Sequence, residues 1–207
     1  MVEVPLRKSV FIYTANGRAY YNFATLLKRL GIDHTDIVPC LLDSTPSLLL
    51  TTRDELPTNY SGVYLLCEEL TGDQDIDALT LLSRLYPERA DNLTVGVDPG
   101  GVTGVAVVYR GNVAFKTFAD IHPVISFVRR ILEFHASTKT VRVGTGDRRF
   151  VEIASGLGGI EGVDLELVDE AGTTRKGGPA EGGQRDAVAA LRIARRRGKP
   201  SPRRELF

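Results

Sequence analysis

Three acidic positions carry the chemistry this sequence could perform: Asp98, the neighbours Asp169 and Glu170, and Asp186. Asp98 ends an apolar run that starts at Leu93, and Pro99, Gly100 and Gly101 follow it before a second apolar run to Tyr109. Such a pattern delivers a carboxylate at the end of a buried strand and lets the chain double back, because glycine leaves room for a ligand or another backbone. An isolated carboxylate is costly to bury, and a bound cation or an exposed site removes that cost. The plain alternative is a hairpin in which Asp98 only begins the turn. Asp169 and Glu170 follow the alternating run Val163 to Val168 and stand at the end of another strand. Asp186 lies near the start of the last helix, beside Ala187 on its apolar side. An acid favoured there by the helix dipole is the alternative. If one sheet holds these elements, three distant carboxylates fall at one end of it. Hard divalent cations such as Mg²⁺ take oxygen ligands of this kind and fill their remaining positions with water and substrate phosphates. Two such ions about 4 Å apart stabilise the attacking and leaving oxygens of an in-line displacement at a phosphodiester.

The elements that must position these acids follow from periodicity. Residues 9–13 read as a buried strand, and Tyr20, Phe23, Leu27 and Leu30 recur at helical spacing up to a C-cap at Gly31. Ile37 to Leu42, Leu48 to Thr52 and Val63 to Cys67 are short strand candidates, and Asp73 caps a helix that ends before Pro87. This alternation predicts a small α/β domain over residues 1–91 with a mainly parallel sheet. Its strand ends at Thr14 to Arg18, Asp43-Ser44 and Thr51 to Arg53 should gather on one edge, where α/β sheets bind ligands, although a scaffold role is preferred. A polar break at residues 87–92 separates it from a second domain, 92–207. There Leu93 to Val97, Gly101 to Tyr109 and Asn112 to Phe118 read as antiparallel strands, with a hairpin turn at Arg110-Gly111-Asn112. An amphipathic helix from Ile121 to Leu132, a strand at Lys139 to Val143, a helix from Phe150, the strand Val163 to Val168 and a last helix follow. The order is β-β-β-α-β-α-β-α. Gly172 to Gly183 is expected to be a mobile loop, and the tail from Gly198 to be poorly ordered.

Composition narrows the classes further. The 207 residues carry 26 basic and 26 acidic side chains, with 43% hydrophobic residues, which excludes a wholly disordered chain. No apolar run approaches the roughly 20 residues that span a bilayer. The expectation is a soluble cytoplasmic protein with no membrane partner. Cys40 and Cys67 belong to no Cys-x-x-Cys pair and, with only three histidines, are read as reduced, largely buried thiols instead of zinc ligands. The zero net charge hides an asymmetry. Residues 1–91 carry 8 basic and 13 acidic side chains, a net of −5, and residues 92–207 carry 18 and 13, a net of +5. The late cluster Arg185, Arg192, Arg195, Arg196, Arg197, Lys199, Arg203 and Arg204 points to nucleic acid, with a solvated helix end as the bland reading.

Residues 93–196 resemble the ribonuclease-H-like superfamily, and within it the RuvC and YqgF branch. Gly96-Val-Asp98-Pro-Gly100 with Gly104-Val-Ala-Val resembles its first-strand motif. Val168-Asp169-Glu170-Ala-Gly-Thr173-Thr174 is similar to the Asp-Glu-x-x-Thr-Thr motif of the YqgF branch, and Asp186 to Ala194 resembles its last helix. The resemblance implies a RuvC-like mixed five-stranded sheet with flanking helices and two Mg²⁺ or Mn²⁺ ions. Asp98 would bind both ions. Glu170 would take the second acidic position, with Asp169 as its rival, and Asp186 would bind the second ion. RuvC members also place a Glu after the fourth strand. Asp147 is the candidate here, although it lies several residues beyond that strand. Thr173, Thr174, Arg175, Lys176 and Arg185 are expected phosphate contacts, of the kind that position a substrate without reading its sequence. The implied activity is a metal-dependent endonuclease acting on structured nucleic acid. Branched DNA such as a Holliday junction, in recombination and repair, is the RuvC-like expectation, and precursor ribosomal RNA the YqgF-like one. Paired cuts in a junction require two-fold symmetry, hence a homodimer. The rivals are a catalytically silent nucleic-acid-binding module, a protein scaffold acting through the acidic half, and an actin-like or sugar-kinase ATP site. The last normally needs a second phosphate loop, which residues 1–91 do not show. No Walker loop is present, and Gly156 to Gly162 misses the spacing of the dinucleotide fingerprint.

Overall fold

The computed structural model of the chain describes residues 8–37, 45–169 and 182–200, the side chains at 115 and 182–185 excepted. The chain forms two compact units, Met1–Glu88 and Arg89–Phe207.

The first unit contains β1 (Val10–Tyr13), α1 (Gly17–Leu30), β2 (Thr35–Ile37), β3 (Leu48–Thr51), β4 (Tyr64–Leu66), one 3₁₀ turn at Cys67–Glu69 and α2 (Gln74–Leu85). The strands lie in the order β2-β1-β3-β4 and are all parallel. Burial explains why short apolar runs suffice: Ile12, Leu48, Leu50 and Leu65 pack in one core with Phe23 and Leu27 of α1 and Leu81 and Leu85 of α2. Asn16 caps α1 by accepting from the Arg18 and Ala19 amides. Asp73 caps α2 by accepting from the Asp75 and Ile76 amides. The second strand begins at Thr35, two residues before the apolar run that predicts it, because Thr35 and Asp36 are exposed on the sheet edge. Residues 38–44, with Cys40 and the Asp43-Ser44 strand end, lie outside the described residues. Cys67 is half-buried, not largely buried, and its surroundings raise the thiol above its ordinary range, burial being the main cause.

The second unit is β5 (Asn92–Asp98), β6 (Thr103–Tyr109), β7 (Asn112–Phe118), α3 (Ile121–Leu132), β8 (Thr138–Gly144), α4 (Phe150–Leu157), β9 (Val163–Val168), α5 (Gly182–Arg195) and β10 (Lys199–Pro200). Its sheet runs β10-β9-β8-β5-β6-β7. β5, β6 and β7 form an antiparallel meander, while β8 is parallel to β5 and β9 parallel to β8. Arg110 and Gly111 have φ of 47° and 77°, the two left-handed residues that a tight hairpin turn requires. Alternation splits β5 between two faces. Leu93, Val95 and Val97 are fully buried on the face that carries α3, where Tyr109 meets Phe134 and Phe118 meets Phe127. Gly96 lies on the other face, against α5. α4 packs on α3, so the sheet is sandwiched between α3–α4 and α5. The expected loose tail is corrected at its start: Lys199 and Pro200 pair antiparallel with Leu167 and Glu166 as a sixth, edge strand. A two-residue strand containing proline carries no periodicity, and proline is tolerated at a sheet edge.

Candidate active site

α5 reaches the sheet through two glycines. A Cβ at Gly96 would stand 2.3 Å from the Ala190 carbonyl oxygen and 2.7 Å from the Ala194 Cβ. A Cβ at Gly104 would stand 2.2 Å from the Asp186 carbonyl oxygen and 3.2 Å from the Asp186 Cβ. The helix therefore lies on bare backbone at β5 and β6, with Ala190, Ile193 and Ala194 turned inward.

This seat brings two of the candidate acids together. Asp98, the last residue of β5, is directly opposite Gly104 in the antiparallel register. Opposed positions have Cβ atoms about 4.5–5.5 Å apart on the same face. With Asp186 3.2 Å from the Gly104 Cβ position, the Asp98 and Asp186 Cβ atoms are within about 9 Å of each other. Both residues are half-buried. This bound leaves room for both carboxylates to reach one cation, and carboxylate oxygens are the ligand type such an ion takes.

The other candidates are placed less closely. Asp169 follows the last residue of β9, exposed, two strands away from β5, or about 9–10 Å in the sheet direction. Its carbonyl oxygen accepts from Arg196 Nη1 at 3.4 Å. Asp147 lies in the turn after β8, where its carboxylate accepts from the Arg149 amide at 2.9 Å and its carbonyl from the Phe150 amide. It thereby starts α4. Among the described residues no group of three or more His, Cys, Asp or Glu side chains is gathered as a metal site. Glu170, Thr173, Thr174, Arg175 and Lys176 lie outside the described residues, and Arg185 is placed only as a backbone position in the first turn of α5.

Two features of the surroundings were not predicted. Arg149 donates from Nη1 to the Gly100 carbonyl, so the turn after β8 holds the glycine turn that follows Asp98. Arg142 of β8 donates from Nε to Glu166 of β9 at 2.7 Å and from Nη1 to the Ala194 carbonyl. The Gly198 amide also donates to Glu166. Burial alone would raise the Glu166 carboxyl. The Arg142 bond, the Gly198 amide and the Arg142 and Arg197 charges outweigh it and hold the group below its ordinary range. Alternation along β8 and β9 exposes this pair to sequence reading only once the register is known, since Arg142 and Glu166 face each other across it.

In the first unit, the expected gathering of strand ends is partly visible. Glu55 accepts from Thr14 Oγ1, from the Ala15 amide at 2.6 Å and from Thr52 Oγ1 at 2.7 Å, joining the ends of β1 and β3. Burial pushes the Glu55 carboxyl up, and these three donors, with the Asn16 amide as a fourth, bring it below its ordinary range.

No family model matches the chain, and no curated protein does. Among solved structures it is similar to Marinitoga piezophila Argonaute in complex with 5′ OH guide RNA, at 11% identity and a TM-score of 0.26, over 78% of this chain and 39% of that one. The same Argonaute with guide RNA and target DNA gives 12% identity and a TM-score of 0.28, again over 78% and 39%. The chain thus spans about two fifths of the Argonaute chain it matches. A likeness this loose carries no weight for the activity. Among the described residues no helix is long and apolar enough to cross a membrane.

Proposed function

We propose that residues 92–207 form a ribonuclease-H-like, RuvC-like nuclease domain that cleaves phosphodiester bonds in structured nucleic acid, with branched DNA as the first candidate substrate. The observation that carries this reading is the meeting of Asp98 and Asp186 across Gly104. The sheet β7-β6-β5-β8-β9, with its antiparallel meander and two parallel additions, supports it, because the resemblance implies a mixed five-stranded sheet with flanking helices. In this reading Asp98 and Asp186 would hold Mg²⁺ or Mn²⁺, and Glu170, with Asp169 as its rival, is the further acid proposed for the second position. Ions held there supply a polarised water and neutralise charge on the phosphoryl oxygens. Arg149 keeps the Asp98 turn in place through Gly100. The Gly104 contact fixes how far Asp186 stands from Asp98.

The test is cleavage of labelled four-way junction, duplex, single strand and structured RNA, each with Mg²⁺, Mn²⁺ or EDTA. Cutting is expected with metal and not with EDTA. Asp98→Asn and Asp186→Asn should each lower the rate by about 100-fold or more, since loss even of a group that only supports a metal ligand costs about 10–100-fold. Preference for the RNA would move the substrate to the YqgF-like reading. Metal-independent binding without any cutting would establish the silent module instead. Cleavage that persists unchanged in both variants would overturn the site.

A further inference from the structure

The outer side of α5 and the turn that follows it form a strip of positive charge that the candidate active site does not use. Residues 182–200 carry six basic side chains and one acid, a net of +5. Packing dictates where the cations go. Ala190, Ile193 and Ala194 are buried against the sheet, so Val188, Arg192 and Arg195 fall on the opposite side of the helix and are exposed. Arg196 and Arg197 continue this exposed run into the turn before β10. Lys199 does not belong to the strip. It pairs with Leu167 and shares that residue's face, away from α5.

The acids nearest the strip come from β9. Glu166 is engaged by Arg142 and the Gly198 amide, with Arg197 close enough to act on it through charge. Asp164 is exposed on the same face as Glu166, and the Asp169 carbonyl accepts from Arg196. Among the described residues Arg192 and Arg195 have no ion-pair partner. Clustered cations without matching acids are the footprint of a polyanion site.

We infer that Arg192, Arg195 and Arg197 bind the phosphate backbone of a nucleic-acid duplex beside the candidate active site. The inference rests on the reading above for the identity of the polyanion. Nine residues of helix separate Asp186 from Arg195, about 13 Å at 1.5 Å per residue. That is about four phosphate steps along one strand of a duplex. For an arm that lies along α5, the strip meets it about four base pairs to one side of the bond that meets Asp98 and Asp186. Its contacts carry no sequence information and set only the register of the arm.

The experiment measures binding of labelled duplex to the full chain in EDTA across a salt series, which separates it from cleavage. The variant R192Q/R195Q/R197Q is compared with K28Q/R29Q/R84Q, a charge-matched variant of exposed cations in the first unit that lie outside its strand-end edge. Each lost phosphate contact lowers the slope of log affinity against log salt by about 1. The strip variant should thus lose about 3 from the slope, and the control should keep it. The R192K/R195K/R197K variant should restore the slope, which guards against a folding defect. Equal slopes in the strip variant and the control would overturn the proposal. So would binding to phosphatidylserine vesicles with none to duplex. A slope that shifts while no substrate is ever cut leaves the strip standing and removes the nuclease; cutting with an unshifted slope does the reverse.

Discussion

Gly104 lies directly beneath the main chain of Asp186, and its partner across the β5–β6 ladder is Asp98. One missing side chain thereby sets the spacing of two acids that are 88 residues apart in the chain. A glycine in the middle of a strand normally weakens it, and close approach of another backbone is one reason to keep it.

Gly104→Ala tests this relationship. The new Cβ would meet backbone at 2.2 Å, and backbone cannot rotate aside as a flexible side chain can. α5 must shift, at a cost of about 1–3 kcal/mol by the usual scale of overpacking. Gly96→Ala makes a similar intrusion at Ala190, 2.3 Å from its carbonyl oxygen, but away from the acids. Urea unfolding should show comparable losses for both variants. If the proposed function holds, the cleavage rate of folded protein should fall more in Gly104→Ala than in Gly96→Ala. Equal rates would detach the Asp186 position from the chemistry.

Asp91 gives a prediction about acid stability at the start of the same sheet. Its carboxylate accepts from Tyr109 Oη at 2.7 Å, from the Ser137 amide and hydroxyl at 2.9 and 2.8 Å, and from Arg110 at 3.3 Å. The Tyr109 bond leads in lowering this group below its ordinary range; burial works against it, and the Ser137 bonds and the Arg110 charge add to the lowering. A carboxyl lowered on folding contributes stability that is complete above its unfolded value, about 3.9, and is lost as pH falls through the lower folded value. Asp91→Asn keeps the shape but turns an amide nitrogen toward donors. It should cost about 1–3 kcal/mol at neutral pH, the scale of hydrogen bonds to a charged group. The difference between native and variant should shrink as the pH drops below about 4. Urea midpoints measured across that range check it, and a difference independent of pH would refute the assignment.

Asp91 also shows where sequence reading stops. The stretch 87–92 reads as a polar break, which hides the fact that Asp91 joins β6 to the residue before β8. Only the folded register brings Tyr109 and Ser137 to it. Strands β5 to β9 were legible because each is apolar enough to stand out, and the Arg110-Gly111-Asn112 turn signal announces the β6–β7 hairpin. Asp98 was legible for the same reason, as a charge where an apolar strand ends. Gly104 was visible only as flexibility in the motif. Its role as a seat for α5 depends on which helix returns to that face, and no local pattern states that. β10 was missed because two residues have no period. The Arg142–Glu166 pair was missed because each residue alone reads as an exposed polar position of an alternating strand.

That pair yields the last prediction. Arg142 and Glu166 are opposite each other on β8 and β9, on the face that carries α5. Their side chains are 17% and 22% exposed, so water screens them only in part. Arg142 also binds the Ala194 carbonyl at the end of α5, and Glu166 binds the Gly198 amide just beyond it. The pair is therefore a clamp on the end of the helix whose beginning carries Asp186. Removing one partner leaves the other charge poorly matched in a half-dry place, whereas removing both does not. In a double-mutant cycle with Arg142→Met and Glu166→Gln, the single changes should each cost more than half of the double, with a coupling of about 0.5–3 kcal/mol. The folded Glu166 carboxyl is lowered, so its share of the coupling is present above the unfolded value of about 4.3 and fades as pH falls through the folded one. Hydrogen exchange supplies the spatial check. Amides of residues 191–195 should exchange faster in either single variant, while those of α3 on the opposite face should not change. Uniform acceleration across both faces would mean that the pair supports the whole unit and does not specifically hold α5.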